Sequence, residues 1–260
     1  MGIYDRDYFR HTSGSREQFG QLRMWSITTW LIVINVAVYL IDALLLRSGT
    51  WVGVPLGNVV VGDEVRTIVT PMGPLEAAGH FSAATAIWQL QVWRFLTFQF
   101  LHANFQHLLF NMLGLYFFGQ MMEAYLGRQR FLTFYLLCGI AGAVSYLVLW
   151  MLGLLVSSPR TPLVGASAGI FGILAAASQV APRATVMLAF PPMPVQLRTW
   201  AYVLLGISII TVVFFGQRPG ANAGGEAAHL GGAVLGMIMI KSPTLLSLIG
   251  PHPGLKYRRA

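Results

Sequence analysis

The sequence predicts an all-α membrane protein: six transmembrane helices with a long outer loop between the first and second. Two observations lead there. Of 260 residues, 55% are hydrophobic and only 10% charged, against roughly 25% charged in a soluble domain; mean hydropathy is +0.63. Apolar runs close to the roughly 20 residues that cross a bilayer also recur along most of the chain. An isolated apolar run satisfies its backbone groups in lipid only as a helix.

The spans fall at residues 26–46, 104–122, 131–155, 164–180, 199–215 and 227–240. The fourth and sixth are short and begin at polar motifs, which places a serine and a histidine below one membrane surface. Between the first two spans lies the segment 47–101. Its first half, rich in Gly, Pro and Val, reads as irregular. Residues 80–100 are apolar but broken by Gln89, Gln91 and Arg94, as in an interfacial or partly inserted helix. Trp88 and Trp93 suit the interfacial aromatic belt. The organisation expected is an N-terminal segment 1–25, a membrane domain 26–242 and a basic tail 243–260.

Orientation follows from the 17 Lys and Arg residues. With the N-terminus in the cytoplasm, only Arg47, Arg66, Arg94, Arg160 and Arg218 fall outside, leaving 12 against 5. Both termini are then cytoplasmic, and the serine and histidine open toward the outer face. The net charge of +8 fits anionic lipid and the positive-inside rule, so the bilayer is the expected partner. Nucleic acid is not, since no basic run is interleaved with stacking aromatics. Cys138 is the single cysteine, permits no internal disulfide and reads as a small core residue. The polar start has no signal-peptide pattern, and Arg6 stands where a myristoylation motif needs Ser or Thr. A bacterial plasma membrane is the expected location.

The chemistry concentrates in two motifs. Ser167 lies in Gly165-Ala166-Ser167-Ala168-Gly169, and His229 lies in Ala228-His229-Leu230-Gly231-Gly232. Residues three and four apart share a helix face, so Gly165, Gly169 and Gly172 form one smooth stripe. Gly225, His229, Gly232 and Gly236 align on the other helix. Glycine stripes let backbones approach closely, which brings a short serine within reach of an imidazole as nucleophile and base. Stripes alone would serve simple packing, and a lone serine can bond back to its own helix; the matching histidine stripe favours the pair. The Gly-x-Ser-x-Gly pattern also occurs in the elbow of α/β-hydrolases. That elbow needs a preceding strand and a downstream acid then histidine, whereas only Glu226 lies between Ser167 and His229 as an acid.

A serine nucleophile needs donors for the oxyanion. His107 and Asn111 share a face of the second span, and Ser167 adds its own backbone N–H. Asn111 could instead act as interhelical glue. A zinc site from His102, His107 and His229 has no supporting HExxH or cysteine cluster, so neither metal nor cofactor is expected. Glu226 reads as a polar cap near the surface, with orientation of His229 the minority reading. His11, His80 and His252 carry no partner pattern.

These residues together resemble the rhomboid family of intramembrane serine proteases, from Trp93 to Gly236. The resemblance rests on Trp93-Arg94, the His107 and Asn111 pair, the serine motif, and the spacing of Gly224, Ala228-His229, Gly232 and Gly236. Gly119, Glu123 and Gly127 fit the family's turn after the second span. It implies Ser167 as nucleophile and His229 as general base, with His107, Asn111 and the Ser167 N–H as oxyanion hole. It implies that Phe171 packs on the imidazole and that Trp93-Arg94 is structural. One departure is Ala168, where many members have Gly; its methyl adds bulk beside the oxyanion site.

The expected activity is endopeptidase cleavage of membrane-anchored protein substrates. The rival expectation is a rhomboid-like pseudoprotease that binds membrane clients without cutting, which typically lacks Ser167 or His229. A transporter fits less well, without paired intramembrane charges or inverted repeats.

Overall fold

The computed structural model describes residues 25–61, 64–155, 158–187, 192–218 and 221–250. The expected N-terminal segment, apart from Trp25, and the end of the basic tail lie outside the described residues, with His11 and His252.

Among the described residues, four helices are long and apolar enough to cross a membrane. They are α1 (Ile27–Arg47) and three that follow later in the chain. The Ser26 hydroxyl caps α1 by accepting the Thr29 N–H at 3.0 Å. The buried Glu123 carboxylate accepts from Ile27 N, Thr28 N and Thr28 Oγ1, each at 2.8 Å. The helix start is thus satisfied from a distant part of the chain, as its unpaired N–H groups require.

The first half of the long loop is not irregular. It forms an antiparallel hairpin of β1 (Val52–Val61) and β2 (Glu64–Met72), with a register shift between Pro55 and Gly57. Its many β-branched residues favour strand. A two-stranded ribbon has only edges, so Pro55 and Pro71 are tolerated. The short α2 (Pro74–Gly79) follows, and Asp42 of α1 accepts its Leu75 and Glu76 N–H groups at 2.8 and 3.1 Å. The single interfacial helix expected over 80–100 is instead broken. A π turn (Ala84–Trp88), α3 (Arg94–Thr97) and a 3-10 turn (Phe98–Phe100) replace it. Phe81, Ala83, Phe98 and Gln99 are buried along this segment.

The second expected span runs as α4 (Phe105–Gly114), a π segment (Leu115–Gly119) and α5 (Gln120–Leu126). Gly127, at φ 77°, turns the chain into α6 (Arg128–Met151), the central helix. It starts earlier than expected because the turn is one glycine long. Next come α7 (Ser167–Val180), a small hairpin of β3 (Thr185–Met187) and β4 (Pro194–Gln196), α8 (Leu197–Phe215), α9 (Ala223–Lys241) and α10 (Pro243–Leu248). The helix α9 begins before its expected start at 227, which sets His229 well inside the helix rather than at its opening.

Glycines hold α6, α7 and α9 together. A methyl on Gly169 would meet the Tyr135 ring at 2.6 Å, and one on Gly172 would meet Cys138 at 2.5 Å. Added methyls on Gly232 and Gly236 would overlap the carbonyl oxygens of Ala168 and Gly172. Gly225 differs from its expected place in that stripe. Its open side faces Asn222 of its own helix start, while Gly224 abuts Tyr146 of α6.

Candidate active site

Ser167 is placed by its approach strand. Leu163 exchanges backbone hydrogen bonds with Phe81, and Gly165 N–H donates to Phe98 O at 2.9 Å. Gly165 then adopts φ 128°, a left-handed geometry that favours glycine. Its missing side chain also admits His107, since a methyl there would stand 2.7 Å from the imidazole Cε1. Helix α7 opens at Ser167, so the serine N–H belongs to the first turn, where intrahelical acceptors are lacking.

His229 faces Ser167 from α9. Its Nε2 lies 2.8 Å from Ser167 Oγ, and the Phe171 ring stacks on the imidazole at 4.0 Å between centroids with planes 8° apart. On the far side of the ring, Nδ1 lies 3.0 Å from Glu226 Oε2. That carboxylate also accepts from Ser208 Oγ of α8 at 2.5 Å. Its side chain is only 19% exposed, so Glu226 turns inward and the surface-cap reading gives way. A carboxylate only accepts, so Nδ1 must be the donor and Nε2 the acceptor facing serine. Sequence spacing hints at Glu226, three before His229 on one face; nothing in the α8 sequence marks Ser208.

His107, Asn111, Ser167, Ala168, Phe171 and His229 all line one cavity of about 1120 Å³. Asn111 spends one amide hydrogen on the His107 carbonyl at 3.0 Å, leaving the second free to point elsewhere. Phe110 and Phe117 on one side and Trp200 and Leu204 of α8 on the other extend the cavity sideways. The Ala168 methyl lies where a side chain on Gly142 of α6 would come within 2.5 Å, so the absence of that side chain accommodates it.

Trp93 and Arg94 do not line the cavity that holds Ser167 and His229. Trp93 is half-exposed and donates Nε1–H to Ala78 O at 3.5 Å. Buried Arg94 donates to the carbonyls of His80 and Ala77 at 2.6 and 3.1 Å and to Gln91 Oε1 at 2.5 Å. It ties together the segment that precedes α4. His80, which carries no partner pattern in the sequence, is buried at this junction. His102 packs edge-on against His107 at 5.2 Å between centroids. Neither of its ring nitrogens meets a protein partner among the described residues. Burial first, and His107 second, push its imidazole down to about 3.

The chain has known relatives in sequence. A family model described as Rhomboid domain matches residues 89–242, more than half of the chain. The chain belongs to the rhomboid family, as a multi-pass membrane protein. It is similar to RHOMBOID-like protein 12, mitochondrial, of Arabidopsis thaliana, at 35% identity over 139 residues, covering 49% of this chain and 39% of that protein. It is also similar to Rhomboid protein 1, mitochondrial, of Saccharomyces cerevisiae, at 31% identity over 131 residues, covering 49% of this chain and 35% of that protein. The chain thus covers well under half the length of either relative. Both are named as mitochondrial, which lends no support to the bacterial plasma membrane expected above.

Proposed function

We propose that this chain is an intramembrane serine endopeptidase acting on membrane-anchored proteins. The observation that carries the reading is the 2.8 Å approach of Ser167 Oγ to His229 Nε2 inside the cavity. Ser167 Oγ attacks a substrate carbonyl carbon while His229 Nε2 takes its proton. The resulting oxyanion is held by the Ser167 N–H, His107 and the second Asn111 amide hydrogen. The tetrahedral intermediate collapses, the C–N bond breaks, and His229 returns the proton to the leaving amine. Water then attacks the acyl-enzyme with His229 again as base, releasing Ser167.

In this reading residues 105–126 and α7 cross the membrane beside the four longer helices, giving six spans with both termini cytoplasmic. Substrate enters sideways between α4 and α8, whose Ile207, Ile210, Val213 and Phe214 are exposed. Helical carbonyls are shielded by their own hydrogen bonds, so the scissile segment must unwind. Gly or Pro near it favours cleavage. A cross-link joining α4 to α8 that left cleavage of membrane-anchored substrates intact would count against this entry route.

The deciding experiment is cleavage of a single-span reporter in liposomes by wild type and Ser167→Ala, with fluorophosphonate labelling of the same samples. Cleavage and labelling by wild type alone support the proposal. A folded wild type that neither cuts nor labels overturns it and favours a client-binding pseudoprotease.

A further inference from the structure

We infer that Glu226 is a positioning residue that sets the tautomer and orientation of His229, with its carboxylate held in place by Ser208. The inference rests on the protease reading above for its consequence, but on geometry for its content. Glu226 Oε2 receives two donors at once: His229 Nδ1 at 3.0 Å from its own helix, and Ser208 Oγ at 2.5 Å from α8. Ser208 is fully buried, and the His229 and Glu226 side chains are 14% and 19% exposed. Little water therefore competes for these bonds.

The physical consequence is specific. A neutral imidazole has one N–H, and the nitrogen facing Ser167 has to be the bare one to accept the serine proton. In a low-dielectric setting without an acceptor at Nδ1, either tautomer forms, and the Phe171 stack alone does not decide which nitrogen faces Ser167. Glu226 removes that choice by taking the Nδ1 proton as a hydrogen bond. Once His229 has accepted the Ser167 proton, both ring nitrogens carry hydrogen, and the carboxylate faces the positive imidazolium at 3.0 Å. The bond is then charge-assisted on both sides.

Ser208 adds a second feature. A free glutamate side chain has three rotatable bonds, and a single bond to His229 would leave the carboxylate mobile. The hydroxyl from a neighbouring helix fixes the oxygen that His229 uses. Because α8 also supplies Trp200 and Leu204 to the cavity wall, the helix beside the substrate space helps hold the base. Among the described residues, His107 is a further titratable group near the imidazole and lies against Gly165, two residues before Ser167. It offers no acceptor to Nδ1 in the hydrogen bonds of the described residues, whereas Glu226 does.

The test compares wild type, Glu226→Ala, Glu226→Gln and Ser208→Ala as full chains in detergent, each checked for an unchanged thermal midpoint. Fluorophosphonate labelling rate, reporter kcat and KM, and histidine ¹⁵N resonances are read on the same preparations. Glu226→Ala should lower the labelling rate and kcat by about 10²-fold with KM unchanged. Glu226→Gln, which keeps an acceptor but not the charge, should lose less, and Ser208→Ala only a few-fold. The resonance assigned by His229→Gln should show Nδ1 protonated in wild type and a tautomer mixture in Glu226→Ala. A folded Glu226→Ala that labels and cuts at the wild-type rate, or that keeps the Nδ1 proton fixed, overturns the inference. Should Glu226→Ala fail to fold, Glu226→Leu, which keeps much of the bulk and removes the acceptor, carries the comparison, and an unchanged kcat there is equally damaging. Should wild type itself neither cut nor label, the protease reading falls, while the ¹⁵N comparison still decides what Glu226 does.

Discussion

The Phe171 ring lies parallel to the His229 imidazole, 4.0 Å away between centroids and tilted by 8°. Phe171 sits one turn after Ser167 on α7, so the same helix that carries the serine also restrains the facing histidine. Stacking of this kind contributes about 0.5–1.5 kcal/mol beyond burial. Phe171→Ala should lower reporter kcat by up to about tenfold, whereas Phe171→Tyr, which keeps the ring, should stay near wild type. Equal rates for the two variants would remove any role for the stack.

Close approach of α7 and α9 depends on Gly232 and Gly236, whose added methyls would overlap carbonyl oxygens of Ala168 and Gly172. Backbone atoms cannot step aside as a side-chain tip can. Gly232→Ala and Gly236→Ala should each destabilise the fold by about 1–3 kcal/mol or more, read as thermal unfolding in detergent. Gly206 of α8 supplies the control, because nothing among the described residues lies within 4 Å of a methyl there. Gly206→Ala should be neutral or stabilising by up to about 1 kcal/mol. A loss at Gly206 matching that at Gly232 would mean that packing is not the cause.

The proximity of Ser167 and His229 was legible because two glycine spacings on apolar helices report a close crossing, and a serine on one helix and a histidine on the other stand at it. The hairpin was not legible. Gly53, Pro55 and Gly57 weaken strand propensity locally, and the pairing of Val52 with Met72 is a relation across the turn. The inward turn of Glu226 was half legible from its spacing to His229, but its commitment depends on Ser208, which reads as one more small residue in an apolar run. Capping of α1 by Glu123 and of α2 by Asp42 is likewise nonlocal. A carboxylate within an apolar stretch signals that it has a partner, not which one.

Ala168 replaces the glycine common in the family, and the structure shows what receives its methyl. Gly142 lies opposite: a methyl there would come within 2.5 Å of Ala168 Cβ and 2.7 Å of Ala228 O. Gly142→Ala should therefore destabilise by about 1–3 kcal/mol. Adding Ala168→Gly should recover part of that loss, since one of the two obstacles is gone. A double-mutant cycle on thermal stability should give a favourable coupling of at least about 0.5 kcal/mol. Strict additivity would place the Ala168 methyl somewhere other than against Gly142.

His102 makes the fold sensitive to acid. Its imidazole is held down to about 3 by burial and then by His107, against about 6.5 for an unperturbed histidine. Below about pH 6.5 the unfolded chain binds a proton that the folded chain refuses. Stability from this group is therefore complete above that value and is lost as pH falls toward 3, by about 1.4 kcal/mol per pH unit. His102→Phe keeps a ring against His107 and removes two nitrogens that have no partner among the described residues. The variant should be at least as stable as wild type at about pH 7.5, because unpaired buried polar atoms cost free energy. Its thermal midpoint should fall less than that of wild type between about pH 7.5 and pH 5. Parallel pH curves for the two proteins would mean that the folded chain lets His102 take up its proton, and that acid sensitivity arises elsewhere.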